Sequence, residues 1–252
     1  MPEKANIKIA PPRLRSDHGF LPGGGIMEIL KGGSIKLLLS LALLLPLTGL
    51  SSASFAQESA CVWEDLDCRI AAATTVIKTN PKDPSAWFDR GNAYFGKGDY
   101  IPALADFTEA IALNPKLTDA WLMRGRTLSN QGKQDAAIKD LNKALALNPS
   151  SAFILYWRGS CYWSKHDCNS AVRDYTKAIA LDPKYDSPYF MRGDCYQKQK
   201  DYILALKDYS EAIELNPTLY GFRVRRADLY ELMGYTEAAA TERKKAEKFR
   251  KP

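Results

Sequence analysis

Apolar positions in this chain fall on helical beats that restart at a fixed interval. Trp87, Arg90, Gly91 and Tyr94 are spaced i, i+3, i+4, i+7, which is one face of a helix. Ala103, Phe107, Ala110 and Ile111 trace a second such face. Gly96-Lys97-Gly98-Asp99, rich in helix breakers, separates the two. Asn114-Pro115 closes the unit, because proline disfavours helix at the preceding residue and cannot extend the hydrogen-bond ladder. Each unit reads as two helices, and no strand is predicted.

The interval is 34 residues, marked by Asn80-Pro81, Asn114-Pro115, Asn148-Pro149, Asp182-Pro183 and Asn216-Pro217. Arg-Gly keeps the same beat at Arg90, Arg124, Arg158 and Arg192, then decays to Arg226-Ala227. Alanine recurs at Ala103, Ala137, Ala171, Ala205 and Ala239, and again at Ala110, Ala144, Ala178, Ala212 and Ala246. An Asp precedes a large side chain at Phe107, Leu141, Tyr175 and Tyr209. No insertion breaks the register from Pro84 to Leu219. Such a period predicts an all-α solenoid, because one helix pair cannot bury its apolar face without stacked neighbours. Gly91 and Ala103 would let paired helices approach closely, with Trp87, Tyr94 and Phe107 filling the space around them.

Arg90, Arg124, Arg158 and Arg192 lie on the core-facing stripe, and Asp106, Asp140, Asp174 and Asp208 sit beside the buried large residue of the partner helix. A buried arginine needs a partner, so a ladder of Arg–Asp pairs that fixes stacking register is expected. The plainer alternative is a solvated charge face.

The order Trp87, Gly91, Tyr94, Ala103, Phe107, Ala110, Pro115 resembles the tetratricopeptide repeat (TPR) signature. The resemblance covers 84–117, 118–151, 152–185 and 186–219, with 220–252 a degenerate capping repeat carrying a basic tail. Leu128, Leu155 and Tyr189 depart from the usual residues, and Arg stands where Leu is usual beside each Gly. The resemblance implies a right-handed solenoid of antiparallel helix pairs. It also implies a concave groove, lined by the first helix of each pair, that receives a peptide or helix.

Both ends look like caps. Residues 57–83 read as half a repeat, with Val62, Leu66, Ile70, Ala73 and Ile77 on one stripe covering the open N-terminal face. Arg243 occupies the slot of Phe107 and Tyr209, and the surrounding Thr241 to Lys251 is polar, as a terminal unit's wettable outer face requires.

Upstream, Met27 opens a secretory pattern. Lys31 and Lys36 precede an apolar run from Leu37 to Leu47, and Ser54-Phe55-Ala56 predicts cleavage before Gln57. Residues 27–56 are therefore expected to be a signal peptide, and 1–26 an upstream extension whose Gly23-Gly24-Gly25 suggests a ribosome-binding site read as protein. An exported, periplasmic or secreted bacterial protein follows. Six of 35 Lys/Arg and three of 29 Asp/Glu fall in 1–56, so cleavage would reduce the formal charge from +6 to about +3. The overall basicity is then no argument for nucleic acid.

Cys61/Cys68 and Cys161/Cys168 are each seven apart, which in continuous helix is about 10.5 Å and beyond disulfide reach. In the repeat register each pair straddles a turn, so a Cys161–Cys168 disulfide is expected, with Cys61–Cys68 as a second and Cys195 left over. Cys161, His166 and Cys168 match no common metal spacing. With no phosphate loop and no nucleophile elbow, neither cofactor nor catalysis is expected.

By slot, the resemblance places Phe88, Asn92, Phe95, Leu122, Arg126, Phe153, Tyr156, Ser160, Trp163, Phe190 and Asp194 in the groove. The third repeat is the most aromatic. Phe88 stands where chaperone-adaptor TPR domains carry a lysine, and Tyr156 and Trp157 replace further basic residues, so that carboxylate clamp is not expected. The function expected is a non-catalytic scaffold that docks a partner's peptide or helix in the groove. The alternative is a structural protein that self-associates through its end faces or Cys195.

Overall fold

The computed structural model describes residues 65–250. The upstream extension, the signal peptide, the first residues of the N-terminal cap and Cys61 lie outside the described residues. Within 65–250 the chain forms helices alone: α1 (Leu66–Thr79), α2 (Pro84–Lys97), α3 (Tyr100–Leu113), α4 (Thr118–Asn130), α5 (Gln134–Leu147), α6 (Ala152–Ser164), α7 (Cys168–Leu181), α8 (Asp186–Gln199), α9 (Tyr202–Leu215), α10 (Tyr220–Leu232) and α11 (Thr236–Glu247). None of these helices is long and apolar enough to cross a membrane.

The helix ends follow from local chemistry. Pro84 opens α2, where the fixed φ of proline suits the first turn, and Asp83 accepts the Ser85 N–H at 2.9 Å. The turn inside each pair places one residue in left-handed backbone: Gly98, Gly132, His166, Lys200 and Gly234, with φ between 62° and 85°. Glycine takes that conformation at no steric cost, whereas His166 and Lys200 do not.

Pairs α2–α3, α4–α5, α6–α7, α8–α9 and α10–α11 pack as hairpins, each stacked on the next, and α1 covers α2. The close approach depends on glycine. A Cβ at Gly91 would lie 2.8 Å from the Phe107 ring, at Gly159 2.7 Å from Tyr175, and at Gly193 2.8 Å from Tyr209. In the last pair, exposed Arg243 replaces the ring, and the facing slot holds Ala227. Glycine and ring are lost together because neither is needed without the other.

The Arg–Asp ladder is present. Arg90 grips Asp106 through Nε and Nη2, both at 2.8 Å, and Arg124, Arg158 and Arg192 grip Asp140, Asp174 and Asp208 in the same two-pronged way. Arg226 and Glu242 extend it by a fifth rung at 2.7 Å, so Glu242 belongs to the core and not to the wettable end.

Each arginine also reaches back 16 residues to the preceding pair. Arg90 Nη1 contacts Thr74 Oγ1, Arg124 Thr108, Arg158 Asn142, Arg192 Thr176 and Arg226 Ser210, at 2.6–3.3 Å. One guanidinium thus ties its own second helix to that of the previous pair, which sets the stacking register. The planar fork supplies the donors this requires and a lysine would not.

Candidate functional site

First helices also touch one another along the stack, α2 with α4, α4 with α6 and α6 with α8. No comparable contact joins α3 to α5, α5 to α7 or α7 to α9. Closer spacing on one side curves a stack toward that side, so the first helices line its concave face.

On this face α2, α4 and α6 bring Phe95, Arg126, Phe153 and Trp157 together. The Arg126 guanidinium carbon lies 4.5 Å from the Trp157 ring centroid, 5.1 Å from Phe95 and 5.5 Å from Phe153. Arg126 Nη1 meets the Met123 sulfur at 3.1 Å. No described carboxylate pairs with Arg126, unlike the ladder arginines. Burial lowers its pKa, opposed by the Tyr185 and Tyr156 hydroxyls.

Tyr185, the residue before α8, completes the patch. Its ring lies 5.2 Å from Tyr156 and 6.4 Å from Phe153, on which it stacks. Three buried polar atoms here have no hydrogen-bond partner: Arg126 Nε, Trp157 Nε1 and Tyr185 Oη. Trp163 Nε1, further along α6, is likewise unbonded, with Lys198 Nζ 4.0 Å above its ring.

The other tryptophans of the first helices behave differently. Trp87 and Trp121 donate Nε1–H to the carbonyls of Pro81 and Pro115 at 2.9 Å. Those indoles brace the inter-pair loops, while the α6 indoles carry no such bond.

The remaining groove positions divide by burial. Phe88 packs 5.9 Å from Phe107, and Asn92 is half-buried beside it on α2. Leu122 and Tyr156 are each only 7 % exposed and belong to the core. Burial pushes the Tyr156 hydroxyl up to about 12. Ser160 donates to the Tyr156 carbonyl at 2.9 Å and accepts from Tyr175 Oη. Phe190 stacks on Phe222 at 4.6 Å. Asp194 is buried, accepting from Tyr209 Oη at 2.6 Å and Arg225 at 3.2 Å, so its charge is already satisfied. Tyr185 escapes the slot reading because it lies in a loop; its place two residues after an Asp-Pro pair is the only sequence cue.

The cysteines correct one expectation. Cys161 and Cys168 are free thiols, not a disulfide. Cys161 faces Leu122, Ala137 and Leu141 on one side of α6, whereas Cys168 packs with Tyr156, Tyr175 and Cys195 toward α8. Cys195 is fully buried, which removes it as a bridge between copies. Cys68 is disulfide-bonded, and Cys61, its expected partner, lies outside the described residues. His166 is exposed in its left-handed turn, and no group of three His, Cys, Asp or Glu suited to a metal occurs among the described residues.

Comparison with known proteins agrees with this architecture. Tetratricopeptide repeat family models match residues 84–117, 107–139, 125–166, 154–185 and 188–219. No curated protein sequence matches significantly. Among solved structures, MamA is 25 % identical with a TM-score of 0.58, covering 63 % of this chain and 93 % of its own. YrrB, described as a TPR protein with an unusual peptide-binding site, is 19 % identical with a TM-score of 0.58, covering 72 % and 93 %. PilF of Pseudomonas aeruginosa is 18 % identical with a TM-score of 0.62, covering 67 % and 77 %. The chain belongs to the tetratricopeptide repeat family.

Proposed function

We propose that this protein is a non-catalytic scaffold that docks a segment of a partner protein on the concave face, centred on Phe95, Arg126, Phe153 and Trp157. The observation that carries the reading is the set of buried donors left without acceptors at that patch. Buried polar groups are ordinarily satisfied, and donors that the chain does not satisfy are suited to a ligand. Aromatic side chains with a rigid frame are favoured anchors for such contacts. The secretory pattern from Met27 to Ala56 supports action in a bacterial envelope or beyond it. Self-association through the end faces is the second reading, supported only by the open ends of a stack.

Site-specific photo-crosslinking in the full-length chain tests the docking face. A photoreactive residue replacing Phe153 should form adducts with a partner in the producing cell. The same residue replacing Ile203, 72 % exposed on α9, should not. Adducts from position 203 alone would place binding off the groove. Adducts consisting only of a second copy of the chain would favour self-association.

A further inference from the structure

Arg126 departs from the charge plan of the arginines packed into the described stack. Each ladder arginine holds a carboxylate, and Arg223, Arg225 and Arg226 do so as well. Arg126 is half-buried with none. Three aromatic rings surround its guanidinium carbon, Nη1 meets only the weakly accepting Met123 sulfur, and Nε has no partner, so the donors of this cation remain able to bind. Trp157 Nε1 can only donate, and the Tyr185 hydroxyl has no acceptor. Resting on the groove reading above, we infer that this patch is a receptor for an acidic side chain: the docked segment sets an Asp or Glu carboxylate against Arg126, beside the Trp157 and Tyr185 donors.

The surroundings support an anion and oppose a cation. An empty aromatic cage would suit an ammonium ion, but this cage already holds a positive charge. Neither nearby carboxylate pairs with Arg126. Asp194 is taken by Tyr209 and Arg225, and Asp186 accepts from Asn216 Nδ2 at 2.9 Å and Ser187 Oγ at 2.8 Å. Lys198 adds a second positive charge along the same face. A guanidinium with little water around it gains more from a carboxylate than an exposed one does. Position also distinguishes a side chain from a chain end. Arg126 lies mid-groove, with α2 on one side and α6 and α8 on the other, so a bound segment runs through and meets it with a side chain.

The test starts from a random twelve-residue peptide library, displayed as internal fusions without free C-termini and selected on the full-length chain. The strongest sequence is made as a capped peptide, together with its Glu→Gln or Asp→Asn counterpart. Both are titrated by fluorescence anisotropy against wild type, Arg126→Met and Tyr185→Phe, with helix content and melting followed by circular dichroism. We expect an acidic residue at one fixed position of the selected peptides. The amide counterpart should bind wild type at least tenfold more weakly. Arg126→Met should bind acid and amide alike, and Tyr185→Phe should narrow the gap several-fold without loss of helix.

Selected peptides without an acid, equal binding of acid and amide by wild type, or a gap that survives Arg126→Met would each overturn the carboxylate receptor. The docking groove would stand in those cases if the peptide still blocks crosslinking from position 153. Failure to select any peptide, or a peptide that leaves that crosslinking untouched, would overturn both.

Discussion

At the residue scale the molecule is organised by one arginine per pair that serves two neighbours. The Arg158 side chain is 21 % exposed and Asp174 only 5 %, so removing the cation strands a buried carboxylate. Arg158→Met should therefore cost about 3 kcal/mol in urea unfolding, and Asp174→Leu added to it should recover part of that loss. Glycine makes a paired prediction. Gly159→Ala forces a methyl group to within 2.7 Å of the Tyr175 ring and should cost about 1–3 kcal/mol. Gly221→Ala, whose added Cβ meets nothing within 4 Å, should stabilise by about 0.5 kcal/mol. Equal effects at both positions in thermal unfolding would show that ring contact is not what selects glycine. The forward half of the ladder was legible because Arg and Asp recur without change in four pairs, whereas the fifth rung, Arg226–Glu242, breaks that pattern. Its backward half was not, because the acceptor slot varies through Thr74, Thr108, Asn142, Thr176 and Ser210.

At the element scale, the recurring helix pairs were readable from apolar spacing and the Asn/Asp-Pro stops, whereas side-chain direction was not. A spacing of seven placed Cys161 and Cys168 across a turn but could not say that they face opposite neighbours. Burial raises the pKa of Cys161, with a Ser129 hydrogen bond opposing it, and burial together with Cys168 raises that of Cys195. All three free thiols should resist a maleimide in the native protein and react once it is unfolded in guanidinium, as read by mass spectrometry. Rapid native labelling would mean that the pairs around α6 to α8 open. Strain in the turns is concentrated where the repeat departs from glycine. His166 has φ 62° in a slot that is glycine in three other pairs, so His166→Gly should raise stability by about 0.5–1 kcal/mol. A lower melting temperature would mean that the imidazole makes a stabilising contact.

At the scale of the whole described stack, the C-terminal end is covered by polar and charged side chains. At this basic end Arg243 pairs with Asp228 and Glu231, Lys245 with Glu242 and Arg250 with Glu247, which offsets part of its positive charge. On the concave face gather four buried polar atoms without hydrogen-bond partners, Arg126 Nε, Trp157 Nε1, Trp163 Nε1 and Tyr185 Oη. The slot reading named Arg126, Phe95 and Phe153, which the structure brings together, and it also named Tyr156, which is core. Recurrence identifies the face a residue occupies, while depth depends on the neighbouring pair. The most direct test of the docking face is the indole N–H region of an amide correlation spectrum, recorded with and without the selected peptide. Trp157 and Trp163 are unbonded, and Trp87 and Trp121 already donate to proline carbonyls. The account predicts that the Trp157 and Trp163 signals shift on binding while those of Trp87 and Trp121 stay in place. Movement of Trp87 and Trp121 with Trp157 and Trp163 unchanged would contradict it.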